Sequence, residues 1–422
     1  MFAVGFAHDR CSPCWEFTTM KILVAHNFYK QPGGEDQCVA AEVAALRAHG
    51  HEVTQYCLHN DSIDTMGRLQ LASRTIWSRT AFRELRELFR TRRPQIAHFH
   101  NTFPLISPAA YYAAQAENIR VVQTLHNFRL LCANALLYRN GDVCEDCLGK
   151  SFPWPGIMHK CYRDSRAASS AVATMLAMHR VAGTWQKAVD IFIALTEFGR
   201  RKFVEGGLPA DKIAIKPHFA YPDPRPGRGT GGYAVFVGRL SAEKGVDTLL
   251  KAWQHLDGSL PLKLLGDGPM AAVVQGAAAK DPSIQWLRHL PLDAVYGLVG
   301  EASFLVLPSR CYETFAMVIM EAFAKGTPVI VSGLGAMAEI VDDGHTGLHF
   351  SPGDPLDLAA KVRSILAEPL RLGRMRQAAR QKFDECFTAE VNHKNLIAIY
   401  EQALSGARNM SSTIERAAQR GL

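Results

Sequence analysis

The chain has 422 residues, of which 48% are hydrophobic and 21% charged, so it is long enough for two globular domains. Its net charge of +7 suits anionic ligands, but no basic tract interleaved with aromatic residues points to nucleic acid. Ten cysteines are too few for a disulfide scaffold. Neither a signal peptide nor a long apolar run is apparent, so we expect a cytoplasmic protein.

The first predicted element is a buried strand at residues 21–26, and we expect residues 1–19 to be a disordered N-terminal extension. The pair Gly33-Gly34 then leads into a helix at residues 35–49. Adjacent glycines let the backbone approach a ligand closely, although a plain tight turn explains them equally well. The loop lacks the G-x-G-x-x-G motif, so a dinucleotide cofactor is not expected.

An arginine-rich segment follows at residues 74–93, in which Phe82, Leu85 and Phe89 recur at helical spacing. We expect this apolar stripe to face the sheet. The arginines are typical of a solvated helix face, and weak contact with anionic lipid head groups is the alternative. A peripheral location at the inner membrane face therefore stays open.

Histidines stand at or just beyond the ends of the next two predicted strands, residues 95–100 and 121–125. In open parallel sheets ligands bind beyond the carboxyl ends of the strands, which is where we expect His100 and His126. His98 lies deeper in its strand, a position typical of a hydrogen-bonded core residue.

Residues 129–164 stop alternating strands and helices, so we predict an insert within a first domain that extends over residues 20–217. One C-x2-C flanked by two further cysteines can present four thiolates to a structural zinc ion, and free thiols are nearly as well supported. The four candidate ligands are Cys132, Cys144, Cys147 and Cys161.

A proline- and glycine-rich stretch, residues 218–232, predicts a linker to a second domain over residues 233–388. The first strand of that domain, residues 234–237, is followed by a loop that carries Arg239 and Lys244. Two cations on one strand-to-helix loop are suited to binding one diphosphate, and a surface salt bridge is the alternative.

Further along, a strand at residues 304–307, a helix at 316–324 and a strand at 329–331 form one predicted unit. Glu313 precedes the helix and Glu321 lies inside it, at most roughly 12 Å apart. That separation suits the two ends of a sugar nucleotide better than a pair of carboxylates that share a proton. A solvated loop carboxylate beside a helical one is the alternative.

The helix N-terminus between these carboxylates offers backbone N–H groups, around Thr314 and Phe315, to a diphosphate. The run PSRCYETFAMVIMEAFAKGTPVI resembles the E-x7-E signature of retaining, GT-B-fold glycosyltransferases of family four, and the resemblance extends over about residues 20–405. The sequence departs from the family at residues 314–316, where Gly-Phe-Gly or Gly-Phe-Pro is usual.

The resemblance implies an α/β protein of the GT-B fold, in which two Rossmann-like, doubly wound domains face each other across a cleft. The acceptor would bind in the first domain and the donor in the second. Residues 389–422 would hold a helix that crosses back to the first domain, and then a tail. The resemblance also implies which residues contact the donor. Glu313 and His126 would contact the sugar, and Glu321 the ribose. The diphosphate would be bound by Gly33, Gly34, Arg239 and Lys244, and the loop that meets the nucleobase would contain Arg288, which replaces a common glycine.

The expected activity is the transfer of a sugar from a nucleoside diphosphate sugar to a saccharide or lipid-linked hydroxyl with retention of configuration, in polysaccharide or glycoconjugate synthesis. No cofactor is expected for catalysis, since Arg239 and Lys244 take the place of a divalent ion at the diphosphate. The alternatives are a sugar-nucleotide epimerase of the same fold, against which the intact G-R-x5-K-G loop argues, and a sugar-nucleotide-binding protein without turnover.

Overall fold

The computed structural model describes residues 19–31 and 33–406. The predicted N-terminal extension, except for its last residue, and the tail after Gly406 lie outside the described residues. Two six-stranded parallel sheets form the centre of the fold, and helices connect their strands. None of the described helices combines the length and the apolar character needed to cross a membrane.

The first sheet has the order β2-β1-β3-β4-β7-β8. Its inner strands are buried along most of their length because helices cover both faces of a parallel sheet. The chain reverses direction across the sheet between β1 and β3, which is the topological switch point of a doubly wound fold. The strands are β1 Lys21–Phe28, β2 Glu52–His59, β3 Ile96–Phe99, β4 Arg120–Thr124, β7 Ile191–Ala194 and β8 Ile213–Ile215; the short hairpin β5 Tyr138–Arg139 and β6 Asp142–Val143 lies outside the sheet.

The second sheet has the order β11-β10-β9-β12-β13-β14, with its switch point between β9 and β12. The strands predicted at residues 234–237 and 304–307 are confirmed as β9 and β12. The second-sheet strands are β9 Ala234–Val237, β10 Leu262–Leu265, β11 Ile284–Arg288, β12 Phe304–Leu307, β13 Val329–Ser332 and β14 Gly347–Phe350.

Helices in the first half are α1 Gly34–Ala48, α2 Arg68–Ile76, α3 Arg79–Arg92, α4 Ala109–Ala116, α5 Trp154–Met158, α6 Arg166–Val181, α7 Thr184–Lys187 and α8 Glu197–Glu205. Those in the second half are α9 Val246–Gln254, α10 Ala271–Lys280, α11 Leu292–Glu301, α12 Met317–Ala324, α13 Gly335–Ile340, α14 Pro355–Leu366, α15 Pro369–Cys386 and α16 Ala389–Ser405.

The arginine-rich segment forms parts of two helices, α2 and α3, because Ser78 caps α3 by accepting a hydrogen bond from the Ala81 amide at 3.3 Å. The prediction for its apolar stripe is confirmed, since Leu85 and Phe89 are buried in the core and Phe82 packs against it. The opposite face is only partly free: Arg86 and Arg90 both form ion pairs with Glu117.

Helix α16 packs on the first sheet, which confirms the predicted crossing of the chain back from the second half. Leu396, Ile399 and Tyr400 join the core cluster that contains the β1 residues Ile22 and Val24. The Tyr400 hydroxyl is 2.8 Å from His98 Nδ1. His98 Nε2 is 2.8 Å from the Thr124 hydroxyl, so the prediction of a hydrogen-bonded core histidine is confirmed.

The proline- and glycine-rich stretch between the sheets is fixed to the second half by backbone hydrogen bonds. The amides of Gly227, Gly229 and Gly231 donate to carbonyl oxygens of Lys325, Gly300 and Glu301 at distances from 2.8 to 2.9 Å. A second connection joins the halves directly, because the Glu339 carboxylate accepts from the first two amides of α8, at 2.7 and 2.6 Å.

Candidate active site

The carboxyl ends of the two sheets meet at a cleft, where the N-termini of α1 and α12 face each other. A Cβ atom built on Gly34 would lie 3.2 Å from Met317 Cγ, so the two helix starts are in near contact. The Thr314 hydroxyl donates to the His126 carbonyl oxygen at 2.5 Å, and the Thr196 hydroxyl donates to the Thr314 carbonyl at 3.3 Å. The loop that carries Glu313 is thereby held against the first half.

Helix α12 begins at Met317, which corrects the expectation that Thr314 and Phe315 provide the amides of its N-terminus. Ala316 is extended and acts as the N-cap, so the unpaired amides of the first turn start at Met317. Thr314 binds the opposite half, and Phe315 is buried with its ring 5.3 Å from that of His218. Both residues therefore brace the cleft with their side chains.

Lys244 and Glu313 form an ion pair, which brings together two residues predicted from separate motifs. Lys244 Nζ lies 2.6 Å from Glu313 Oε1, and the same oxygen accepts from the Ser309 hydroxyl at 2.7 Å. Burial is the largest single influence and would lower the pKa of Lys244, but the charge and hydrogen bond of Glu313 and the other nearby acidic groups together outweigh it, and the net effect is a raised pKa. The lysine is therefore fully charged at neutral pH and linked to the carboxylate.

Gly245 explains why a glycine follows this lysine. It has φ +69, a left-handed conformation that favours glycine, and a Cβ atom in its place would lie 1.9 Å from the Pro308 carbonyl oxygen. The loop after β9 and the loop after β12 therefore touch through their backbones at this residue. That contact places the loop of Lys244 directly against the loop that leads to Glu313.

Arg239 lies on the same loop as Lys244, whereas Arg288 ends a different strand, β11. Arg239 is exposed, two residues after β9. Arg288 has φ +59, and its guanidinium lies 4.4 Å from the centre of the Trp286 ring. The left-handed backbone accounts for the glycine that the family often has here, and stacking on an aromatic ring favours the arginine that this chain has instead.

Glu321 lies on the second turn of α12, eight positions after Glu313. Its side chain is half-buried, and burial raises its pKa to about 7. Desolvation is the single cause of this shift, so no neighbouring cation offsets the cost of its charge. A carboxylate in this state gains from any ligand that donates hydrogen bonds to it.

His126 is held by a second histidine and faces a third. Its Nε2 is 2.9 Å from His100 Nδ1, and its ring stacks on that of His218 with 5.1 Å between centroids. Burial, and then the charge of His218, keep the pKa of His126 well below its usual value. Its Nδ1 is buried and has no hydrogen-bond partner among the described residues. The neutral ring therefore has one nitrogen available to a ligand.

A buried ionic network that the sequence did not predict lies behind His126. Glu42 Oε1 is 3.0 Å from His98 Nδ1 and 3.2 Å from His100 Nε2, while Glu42 Oε2 is 3.0 Å from Lys216 Nζ. The carboxylate and the two imidazoles are in direct contact, with ligand atoms that all lie within 4.8 Å of one another. Lys216 supplies the balancing positive charge. The network connects the interior of the sheet to the histidine at the cleft.

Glu35 in the first turn of α1 is a further residue that sequence reasoning missed. Its Oε2 accepts from the Tyr29 hydroxyl at 3.0 Å and lies 3.4 Å from Asn127 Nδ2, beside His126. Burial raises the pKa of Glu35 to about 7. An acidic residue in the first turn of a helix is common because it interacts favourably with the helix dipole. The sequence pattern around Glu35 therefore does not distinguish this ordinary role from a place at the cleft.

The four cysteines of the insert come together around one cavity, although they are separated by up to 29 positions in the sequence. All four are free thiols; Cys132 and Cys147 are buried, and Cys144 and Cys161 are partly exposed.

Two family models match this chain. Residues 32–221 match the model described as Glycosyltransferase Family 4, and residues 231–368 match the model described as Glycosyl transferases group 1. The first match contains every strand of the first sheet except β1, and the second contains all six strands of the second sheet.

Curated relatives match part of this chain. Glycogen synthase of Mycobacterium tuberculosis is 34% identical over 180 residues, which cover 41% of this chain and 43% of the relative. Alpha-maltose-1-phosphate synthase of Mycolicibacterium smegmatis is 30% identical over 183 residues, which cover 40% of this chain and 47% of the relative. The aligned part of the chain thus spans less than half the length of these relatives.

Solved structures support the fold over nearly the whole chain. HepE of Anabaena, solved in complex with UDP, superposes with a TM-score of 0.65 at 15% identity, over 90% of this chain and 100% of that protein. Sucrose-phosphate synthase of Thermosynechococcus elongatus gives a TM-score of 0.67 at 15% identity, over 92% and 99%. These likenesses confirm the predicted GT-B architecture. The two family models, which between them match residues 32–221 and 231–368, show that the chain belongs to the glycosyltransferases that they describe, Glycosyltransferase Family 4 and Glycosyl transferases group 1.

Proposed function

We propose that this protein transfers a sugar from a nucleoside diphosphate sugar to an acceptor hydroxyl, with retention of the anomeric configuration. The observation that carries the proposal is the ion pair of Lys244 and Glu313 at a cleft where the N-termini of α1 and α12 face each other. A cation, a carboxylate and two helix N-termini are suited to a diphosphate that is bonded to a sugar.

The diphosphate would lie between the N-terminus of α12 and the cations Lys244 and Arg239. A lysine has three donors, and Glu313 uses one of those on Lys244, so the ammonium can also bind a phosphate oxygen. Arg239 is exposed on the same loop and has the planar geometry to bind two phosphate oxygens. Negative charge grows on the departing diphosphate, and cations fixed in advance stabilise that charge. No divalent ion is required.

Glu313 and His126 would orient the donor sugar, and Glu321 would accept hydrogen bonds from the ribose. Glu313 is already bound by Lys244 and Ser309, so its role is to accept hydrogen bonds rather than to attack the sugar. The available nitrogen of neutral His126 would bind a sugar hydroxyl. Retention without a protein nucleophile requires departure and attack on the same face of the sugar, and the acceptor would enter from the first half.

The relatives support a hexose donor and a saccharide product. Two of them are named glycogen synthase and alpha-maltose-1-phosphate synthase, and HepE of Anabaena is solved with UDP and with UDP-glucose. We propose a role in the synthesis of a polysaccharide or a glycoconjugate. The exposed arginines of α3 support a weak contact with an anionic membrane surface, which would suit a lipid-linked acceptor.

Incubation of the purified chain with a panel of nucleotide sugars and acceptors tests the proposal. Release of nucleoside diphosphate that depends on an acceptor, together with a new glycoside, is the expected result. Lys244→Ala should abolish it, whereas Lys251→Ala, an exposed lysine on α9, should not. An epimerised donor would indicate the isomerase instead, and binding without turnover would indicate a binding protein.

A further inference from the structure

We propose that the insert at residues 129–164 holds one structural zinc ion, bound by four cysteine thiolates: Cys132, Cys144, Cys147 and Cys161. This inference is independent of the proposed sugar transfer. It rests on where the fold places the four sulfur atoms, on the composition of the segment that they join, and on the contacts which that segment makes.

The four cysteines line a single enclosed cavity of about 10 Å³, which has room for one water-sized sphere. They come from separate parts of the insert: the turn after residue 128, the C-x2-C that follows β6, and the end of α5. Asp146 also lines the cavity, but its carboxylate is paired with Arg139 at 2.8 Å. The donor set is therefore sulfur, which is the set of closed structural zinc sites.

The four cysteine sulfur atoms are farther apart than the ligands of a bound metal ion. Among the described residues, the ligand atoms that all lie within 4.8 Å of one another belong to Glu42, His98 and His100, and the cysteines do not form such a group. Bonds of about 2.3 Å to one tetrahedral ion would bring the sulfurs to roughly 3.8 Å from each other. Zinc would thus contract the cavity.

The insert has little regular structure of its own to hold this shape. Its strands β5 and β6 have two residues each, and α5 has five. Six of its residues that carry a Cβ atom adopt left-handed conformations, which are unfavourable for them. They are Ala135, Leu137, Asn140, Lys160, Arg163 and Asp164. A structural zinc supplies the folding energy that such a segment lacks.

The insert also reaches the candidate active site. At the tip of the hairpin, Asn140 and Gly141 have φ +54 and +87, and a Cβ on Gly141 would lie 3.5 Å from the Arg310 guanidinium. Arg310 stands three residues before Glu313. Beside the C-x2-C, Glu145 pairs with Lys202 of α8 at 2.9 Å. A zinc ion would therefore steady a segment wedged between α8 and the loop of Glu313.

Metal analysis of the freshly purified full chain is the direct test. We expect about one zinc per chain, and a Cys144→Ser, Cys147→Ser double variant should contain almost none. Cys57→Ser and Cys386→Ser are matched controls, because both thiols are exposed and lie outside the insert, and they should keep the full zinc content. Wild-type protein without zinc, with its thiols either free or joined in disulfides by mass spectrometry, would overturn the proposal.

Cobalt substitution covers the case in which the double variant fails to fold. Wild-type protein stripped under reducing conditions and loaded with Co²⁺ should show thiolate-to-metal charge-transfer bands and the intense ligand-field bands of a tetrahedral site. Cys161→His, which keeps four ligands, should retain a tetrahedral site with a weaker charge-transfer band. A weak octahedral spectrum, or a spectrum unchanged in Cys161→His, would refute the four-cysteine site. Neither readout depends on sugar transfer.

Discussion

Replacing Gly245 by alanine tests how closely the loop of Lys244 and the loop of Glu313 must pack, because a Cβ atom on Gly245 would lie 1.9 Å from the Pro308 carbonyl oxygen. A left-handed backbone costs a residue with a Cβ atom about 1 to 2 kcal/mol, so Gly245→Ala should lose at least that much stability. In addition, this distance of 1.9 Å is too short, because Cβ atoms essentially never approach another atom more closely than 3.0 Å. The Pro308 carbonyl must therefore move away by roughly 1 Å. Because Pro308 begins the loop to Glu313, a shift of this size should lower kcat/KM by about a hundredfold.

Gly258→Ala is the matched control, since Gly258 has φ +70 and no heavy atom within 4 Å of the position that a Cβ atom would take. It should lose only the conformational part of the stability and keep normal kinetics. Urea unfolding gives the free energy of unfolding of each variant, and initial rates give kcat/KM. If the two variants unfold alike and turn over alike, the contact between the Gly245 and Pro308 loops does not set the geometry of the site.

Three further predictions concern charge. Lys244→Ala should lower kcat/KM by more than a hundredfold, because a contact with developing charge is worth about 2.7 to 4 kcal/mol, and near-normal rates would place the diphosphate elsewhere. Glu321 has a pKa raised by burial from 4.5 to about 7, so the fold favours its neutral form and stability is lost as the pH rises through that range. Glu321→Gln should therefore raise the urea midpoint at about pH 8 and hardly at about pH 4, and equal changes at both would contradict this origin of the shift. Activity should survive a mild chelator that leaves any bound zinc in place; a loss that Mg²⁺ or Mn²⁺ restores would show that Lys244 and Arg239 do not suffice.

The sequence predicted the strands and the helix around Glu313 to within one or two residues, because buried parallel strands and capped helices leave local patterns. The start of α12 was placed one residue early, since Ala316 is a good helix former that here serves as an extended N-cap. The Asn140-Gly141 turn was missed although it is a strong local signal for a hairpin.

Other features depend on contacts that no local pattern reports. Glu42 meets Lys216 across 174 positions, and their pairing follows from the packing of α1 against the sheet. The demand on Gly245 comes from a carbonyl on a different strand-to-helix loop. Sequence spacing showed Lys244 and Glu313 as members of two motifs, and only the fold brings them to 2.6 Å. Polar residues that meet over long separations are thus where the sequence alone is least informative.

The anomeric configuration of the product tests the central claim most directly. Wild-type protein supplied with a nucleoside diphosphate α-hexose and its acceptor should yield an α-glycoside, which proton NMR identifies from the anomeric coupling during the first turnovers. The account predicts the same configuration in donor and product, with loss of the product signal in Lys244→Ala. A β-glycoside would contradict retention, and an epimerised or merely hydrolysed donor with no glycoside would contradict the proposed transfer.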